Sequence, residues 1–330
     1  MLPIAMTAGA SIYLIYHSVD ALHCYGGFLS DAMGVIQPLL IFLMLFLTFC
    51  TIEPKDLKPH RWHWWLLLIQ GGVFAVLGLL AVLVMRLMPS ESELWMVLIE
   101  SAMLCFICPT ATAAAVVVRK LGGDVPGITT YIVLINILTA LLVPLVIPMI
   151  QPESDLGFWT SFRLILAKVF PLLITPCLCA WLVRYIAPSL HRKLVSYPDL
   201  AFYIWAVALT FAITMTTRSI VHSTMSVGLI LMIALVSLVC CAMQFALGRY
   251  VGTTYKPRRK THSPGLDAAI EHRGKAVRAI TAGQSLGQKN TVFAIWLAYT
   301  FMTPETAIVG GLYSIWHNVY NSWQLYRAGK

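Results

Sequence analysis

Charge is scarce in this sequence. Of its 330 residues only 11% are Asp, Glu, Lys or Arg, while 59% are hydrophobic, and the mean hydropathy is +0.79. A soluble domain of that composition could not wet its surface, so that class is excluded. Acidic side chains are the scarcer sign, 14 against 23 basic ones, for a net charge of +9. The eight cysteines are scattered through apolar segments, with Cys105 and Cys108 in one helix turn. That excludes an extracellular disulfide framework and leaves packing as their simplest use, with a metal pair as the alternative. Neither paired intramembrane aspartates nor an HExxH string occurs, so the chain is not expected to be an enzyme. No cofactor and no metal site are expected.

Apolar runs of about 20 residues, the length that crosses roughly 30 Å of hydrocarbon, recur along the chain. Ten are distinguished, near residues 2–18, 35–51, 64–88, 94–118, 126–150, 159–183, 199–217, 223–249, 278–301 and 304–326. The first follows no basic stretch and precedes no small-residue cleavage site, so a cleaved signal peptide is not expected. Lys and Arg concentrate in alternate connections, around Lys55 to Arg61, Arg119 and Lys120, Arg184 to Lys193, Arg249 to Arg278, and Arg327 to Lys330. By the positive-inside rule both termini and these loops are cytoplasmic, in a plasma or inner membrane. This pattern is that of a membrane protein, not of a nucleic-acid binder. The polar insertion 252–277, with its KPRRK run, is expected to lie against anionic headgroups, a regulatory partner being the alternative.

Dividing the spans after the fifth gives two sets of five, residues 1–150 and 157–330, joined at QPESDLG. Because five is odd, a structural repeat between them would be inverted in the membrane, a common plan of transporters. The fourth span of each half carries an interruption: CPTATAAA at residues 108–115 and GQSLGQKN at residues 283–290. Pro109 lacks an amide hydrogen, and Gly283 and Gly287 loosen the backbone. Both spans are therefore expected to unwind near the midplane, where freed backbone groups line a polar cavity.

Lys289 lies in the second interruption, about 17 Å along the helix axis from Arg278 and equally far from the other end of the span. Its stem is too short to reach water from there. An unpaired charge at that depth costs at least about 2.5 to 3.5 kcal/mol, so the ammonium must face a hydrated cavity or a counter-charge, or lose its proton. The bland alternative is a lysine that only ties the two broken helices together.

The strings IQPLLIFLMLFLTFCTIEPKDLK, CPTATAAAVVVRKLGGD, LLVPLVIP, AKVFPLLITPCLCAWLVR and GGLYSIWHN, in this order over nearly the whole chain, resemble the bile acid:sodium symporter family. The resemblance implies an all-α fold of ten transmembrane helices built as a 5+5 inverted repeat. A panel domain would hold spans 1, 2, 6 and 7, and a core domain spans 3, 4, 5, 8, 9 and 10. Broken spans four and nine would cross near the midplane, at the substrate and sodium sites. Members of that family mostly co-transport organic anions, bile acids or smaller carboxylates, with two sodium ions.

Residue by residue, the sodium ligands implied by the resemblance are nearly all missing. The TASN of span four reads Thr112, Ala113, Ala114, Ala115. The Ser and Thr that follow GD by four and eight residues are Ile128 and Ile132. The E-x-G-x-Q-N of span nine reads Ser285, Leu286, Gly287, Gln288, Lys289, Asn290. Gln70 is the side chain retained. Methyl groups give a hard cation no oxygen shell, so sodium coupling is not expected. Ser285 and Lys289, four apart, share a helical face. The ammonium of Lys289 is expected to stand in for a sodium ion, contacting Gln70 and broken-helix carbonyls, with Gln288 nearby.

Expected substrate contacts are Thr112 and Asn290 at the crossover and His317 and Asn318 in span ten, whose hydroxyl, amide and imidazole groups can orient a carboxylate. Thr110, Asn136 and Thr139 are possible cavity lining, with helix–helix hydrogen bonding as the alternative for the last two. Glu100 is either a proton carrier or counter-ion, or an interfacial anchor. The resulting expectation is a monomeric secondary transporter of a small organic anion in the lipid bilayer, working by alternating access without sodium. A proton-coupled anion transporter, a ligand-binding membrane sensor without turnover, and a metal or metalloid exporter using Cys105 and Cys108 are the alternatives.

Overall fold

A computed structural model describes residues 2–24, 26–88, 92–150, 157–197, 200–223, 225–255 and 264–329. The described chain is all-α. Its helices are α1 (Leu2–Ser18), α2 (Asp20–His23), α3 (Gly26–Cys50), α4 (Arg61–Leu87), α5 (Ser92–Ile107), α6 (Ala114–Lys120), α7 (Val125–Ile150), α8 (Phe158–Ile186), α9 (Pro188–Val195), α10 (Leu200–His222), α11 (Val227–Thr254), α12 (Pro264–Gly287), α13 (Thr291–Phe301) and α14 (Ala307–Ala328). Most of the joining residues, 151–156, and the KPRRK run lie outside the described residues.

Among the described residues six helices are long and apolar enough to cross a membrane: Asp31–Cys50 of α3, α4, α7, α8, Tyr203–His222 of α10, and α11. They make this an integral membrane protein with multiple spans. The sequence distinguishes ten runs, and the other four differ for visible reasons. α1 has 17 residues, about 26 Å at 1.5 Å per residue. The fourth run is split into α5 and α6, and the ninth into α12 and α13. α14 carries buried Ser314, His317, Asn321 and Gln324, which dilute its hydropathy. The polar insertion is largely helix, because α12 starts at Pro264 and α11 runs to Thr254.

Helices α1, α3, α8 and α10 pack together, α1 along α10 and α3 against both α8 and α10. α4 packs on α5 and α7, and α11 on α5, α12 and α14, while α7 leads into α8 and packs along it. α11 and α12 have the most extensive contact. A Cβ on Gly248 would sit 2.4 Å from the Ala282 carbonyl oxygen, and one on Gly252 2.4 Å from that of Arg278. These glycines, four apart, let two backbones touch, the small-xxx-small packing that membrane helices use where lipid gives no hydrophobic drive. α13 is buried from Thr291 to Ala298, so it runs through the interior with protein on all sides, which suits an apolar helix without a polar face.

Candidate functional site

The site is built on two helix ends. α5 stops at Ile107 because Pro109 has no N–H to continue the ladder. Five consecutive carbonyls, Cys105 to Pro109, then need donors from elsewhere. Each has one. Gln244 Nε2 on α11 donates to Cys105 O at 3.1 Å, Lys289 Nζ to Phe106 O at 3.1 Å, Thr139 Oγ1 on α7 to Ile107 O at 2.9 Å, and Gln70 Nε2 on α4 to Cys108 O at 2.9 Å. The amide of Asn290 donates to Pro109 O at 2.8 Å.

The second broken helix supplies the reciprocal half. α12 ends at Gly287; a Cβ there would lie 2.4 Å from the Phe245 ring. Ala111 N donates to Gln288 O at 3.0 Å, so Thr110 and Lys289 pair as an isolated antiparallel bridge. Thr110 Oγ1 donates to Ser285 O at 2.5 Å and the Tyr313 hydroxyl to Gly287 O at 2.8 Å. The two unwound segments thus cross in contact, backbone to backbone. α13 restarts with Asn290 as its N-cap, Oδ1 accepting from Phe293 N at 3.2 Å, which satisfies a donor that a helix start leaves free.

Lys289 is 2% exposed. Its ammonium sits at the C-terminal end of α5, where the aligned peptide dipoles leave about half a negative charge. Cys105 and Cys108 line the same small cavity as Lys289. The cavity beside it, lined by Cys108, Thr291 and Tyr313 among others, measures about 10 Å³, room for about one water. Gln70 does not meet the ammonium as expected: its Nε2 serves Cys108 and its Oε1 accepts from the Tyr131 hydroxyl at 2.9 Å. Ile128 and Ile132 are fully buried. Among the described residues no group of three or more His, Cys, Asp or Glu could hold a metal ion.

The remaining sequence-predicted residues separate into four places. Thr110, Ser285, Gln288, Asn290, Thr139 and Gln70 are buried around the crossover, with Thr112 half-buried beside it. Asn136 is buried on α7, its Nδ2 bonding back to Ile132 O at 2.6 Å. On α14, His317 is buried edge-on to Tyr313, while half-buried Asn318 donates to Ser314 O at 2.7 Å on its own helix. Glu100 lies elsewhere: its Oε2 accepts from the Thr303 and Thr306 hydroxyls at 2.6 and 2.9 Å. This anchors α5 to the turn before α14.

The α12 and α14 side of the crossover holds a closed polar seam. Gln284 Nε2 donates to Asn321 Oδ1 at 2.9 Å and to Gln324 Oε1 at 2.6 Å. Ser285 Oγ, Gln288 Oε1, Asn290 Nδ2, Ser314 Oγ and His317 Nδ1 are buried there without a protein partner. Residues 283–287, Gly-Gln-Ser-Leu-Gly, also spell the Gly-x-Ser-x-Gly of a serine nucleophile elbow. That motif needs an exposed serine with a base in reach. Ser285 is fully buried within α12 and its Oγ has no partner, so the match carries no hydrolase chemistry.

A second, larger cavity of about 590 Å³ lies between α3, α8, α10 and α13. None of the residues singled out from the sequence lines it. Its lining includes Lys168, a charge within the apolar run of α8 that sequence reading passed over, although an intramembrane cation is itself a signal.

Two broken helices that cross through their unwound backbones, beside a cavity inside a polytopic bundle, are the architecture of a carrier. A search of curated proteins gives no match. Residues 13–327 match the model of the SBF-like CPA transporter family (DUF4137), related to the bile acid:sodium symporter family, and with nearly its whole length accounted for the chain belongs to that transporter family.

Proposed function

We propose that the protein is a secondary transporter that moves an organic anion by alternating access without sodium, Lys289 being the resident cation in place of the ion. The observation that carries this is the contact of Lys289 Nζ with Phe106 O at the end of half-helix α5. A compact ammonium there supplies the positive charge that the helix end attracts. A proton-carrying lysine would need exchange with solvent. The burial of Lys289 beside a water-sized cavity restricts that exchange.

In this reading α1, α3, α8 and α10 form the panel and the remaining long helices the core, ten spans in two inverted halves with both termini cytoplasmic, acting as a monomer. Family membership supports transport as the activity. The 590 Å³ cavity between α3, α8, α10 and α13 supports a substrate path within the bundle. The test is uptake of labelled cholate and labelled short carboxylates into proteoliposomes, in potassium and in sodium buffer. Equal rates in the two buffers are expected. A tenfold stimulation by sodium, or binding without counterflow, would overturn the proposal.

A further inference from the structure

We propose that the joined ends of α1 and α10 form a binding site for a divalent transition-metal ion of the zinc class, held by the imidazoles of His17 and His222 with the Tyr13 hydroxyl as a third donor. None of these residues belongs to the crossover or lines either cavity, so the proposal stands independently of the transport reading.

The packing of the two helices brings these residues together. Thr214 Oγ1 donates to Gly9 O at 3.1 Å, and a Cβ on Gly9 would sit 2.5 Å from Thr210 O, so the backbones touch there. From Gly9, steps of four residues lead along α1 to Tyr13 and His17, and from Thr214 the same steps lead along α10 to Arg218 and His222. Residues four apart share a helical face. The two stripes advance in the same direction and meet again in the last turns, which hold His17 and His222. α1 packs chiefly on α10, so an ion bridging the two ends would fasten the first helix to the bundle.

Three rings gather at this end. His17 and His222 meet edge to face with ring centres 5.5 Å apart, and Tyr13 lies 6.1 Å from each. In a tetrahedral zinc site each imidazole nitrogen lies about 2.0 to 2.1 Å from the metal, which puts the centres of two ligating rings about 5 Å apart. The observed pair is close to that spacing. His222 Nε2 and the Tyr13 hydroxyl are 2.5 Å apart, so these two donor atoms already converge. Tyr13 is buried, which fixes its ring, whereas both histidines are exposed and open to an entering ion. Imidazole is a ligand that zinc, copper and nickel share, and water completes the shell. Among the described residues no group of three or more His, Cys, Asp or Glu competes for the ion. Charge acts in both directions. Each helix C-terminus carries about half a negative charge, and two of them meet here, which favours a cation. Arg218, one turn before His222 on the same face, opposes it, so the ion is expected to be held reversibly.

The experiment uses the purified full chain, free of any polyhistidine tag and stripped with a chelator, titrated calorimetrically with Zn²⁺ and, as the control, with Mg²⁺. Binding of one Zn²⁺ per chain is expected, with none of Mg²⁺, which prefers oxygen ligands. His17→Gln and His222→Gln should each weaken Zn²⁺ at least about tenfold, since losing a ligand costs no less than losing one of its supporting partners. Tyr13→Phe should weaken it by a smaller factor. His17→Cys keeps a zinc ligand and should retain the binding that His17→Gln loses, which separates loss of a ligand from loss of fold. Bound Cu²⁺ should show electron paramagnetic coupling to two imidazole nitrogens in the wild-type chain and to fewer in either glutamine variant. Wild-type Zn²⁺ affinity in both glutamine variants, a copper spectrum without two-nitrogen coupling, or no Zn²⁺ binding by the wild-type chain would leave a ring-packing cluster only and overturn the proposal.

Discussion

Lys289 and Lys168 are both cations set in apolar helices, and the protein surrounds them in opposite ways. Around Lys289, carbonyls freed by a helix break are matched one by one to donors, and the space left is about 10 Å³. Around Lys168 there is about 590 Å³ of cavity and an aromatic face. The same side chain is enclosed by protein in the first place and exposed in the second. A charge whose partners are all protein can hold an architecture, whereas a charge left facing space can recognise a ligand.

The largest expected effect tests the first half of that contrast. Lys289→Met removes the donor to Phe106 O and leaves the negative end of α5 without its cation. Loss of a hydrogen bond from a charged group costs about 1.5 to 3 kcal/mol, so the melting temperature should drop clearly and transport should fall by one to two orders of magnitude. Sodium should not rescue it. Lys168→Met should keep the wild-type melting temperature. Were the two stabilities reversed, the division of labour between the lysines would be broken.

A smaller effect probes whether the crossover is rigid because its carbonyls are matched. Tyr313→Phe strands Gly287 O, and Gln70→Leu strands Cys108 O. Each should cost about 1 to 3 kcal/mol, the penalty of an unpaired buried polar group. Chemical denaturation of the purified chain measures this. Thr300→Val, at the cavity, removes a hydroxyl bonded within its own helix and should shift stability by less than about 1 kcal/mol. Glu100→Gln should leave transport unchanged, since an amide oxygen can still accept from Thr303 and Thr306. A large loss of transport there would restore the proton-carrier role to Glu100.

Much of this contrast was legible in the residues, and unevenly. Pro109 marks the end of α5 and Gly287 the end of α12 because both act through local backbone chemistry. The depth of Lys289 follows from counting. Its partner does not: Phe106 lies 183 residues away in sequence, and only tertiary packing selects that carbonyl over Gln70. Gln244 and Tyr313 were invisible as donors for the same reason, whereas Thr139 was readable as a helix–helix hydrogen-bonding residue without its partner, Ile107 O, being so. Lys168 was hidden in AKVFPLLITPCLCAWLVR by its neighbours, since average hydropathy absorbs one charge. Gly248 and Gly252 were readable in principle as a small-xxx-small pair. The start of α12 at Pro264 was not, because hydropathy cannot see a polar helix.

A further contrast lies where a third cation meets a helix end. Arg184 Nη2 donates to Cys50 O at 3.0 Å, with His191 Nε2 at 2.9 Å from the same carbonyl at the end of α3. Arg184 also lies 3.7 Å from Glu53, whose closer partner is Lys55 at 2.5 Å. The hydrogen bond from Lys55, then its charge, holds the Glu53 carboxyl below its ordinary range. Such a depressed group contributes stability above the unfolded-state value and loses it as pH falls through the folded one, so the effect is confined to acid. Glu53→Gln should therefore leave the melting temperature unchanged between pH 6 and 8, all the more because exposed pairs are screened by solvent. Arg184→Met should cost about 1 to 2 kcal/mol at a partly buried helix end. If Glu53→Gln at neutral pH proved the more damaging, ion pairing would outweigh the capping of helix ends by cations, and the account of Lys289 would weaken with it.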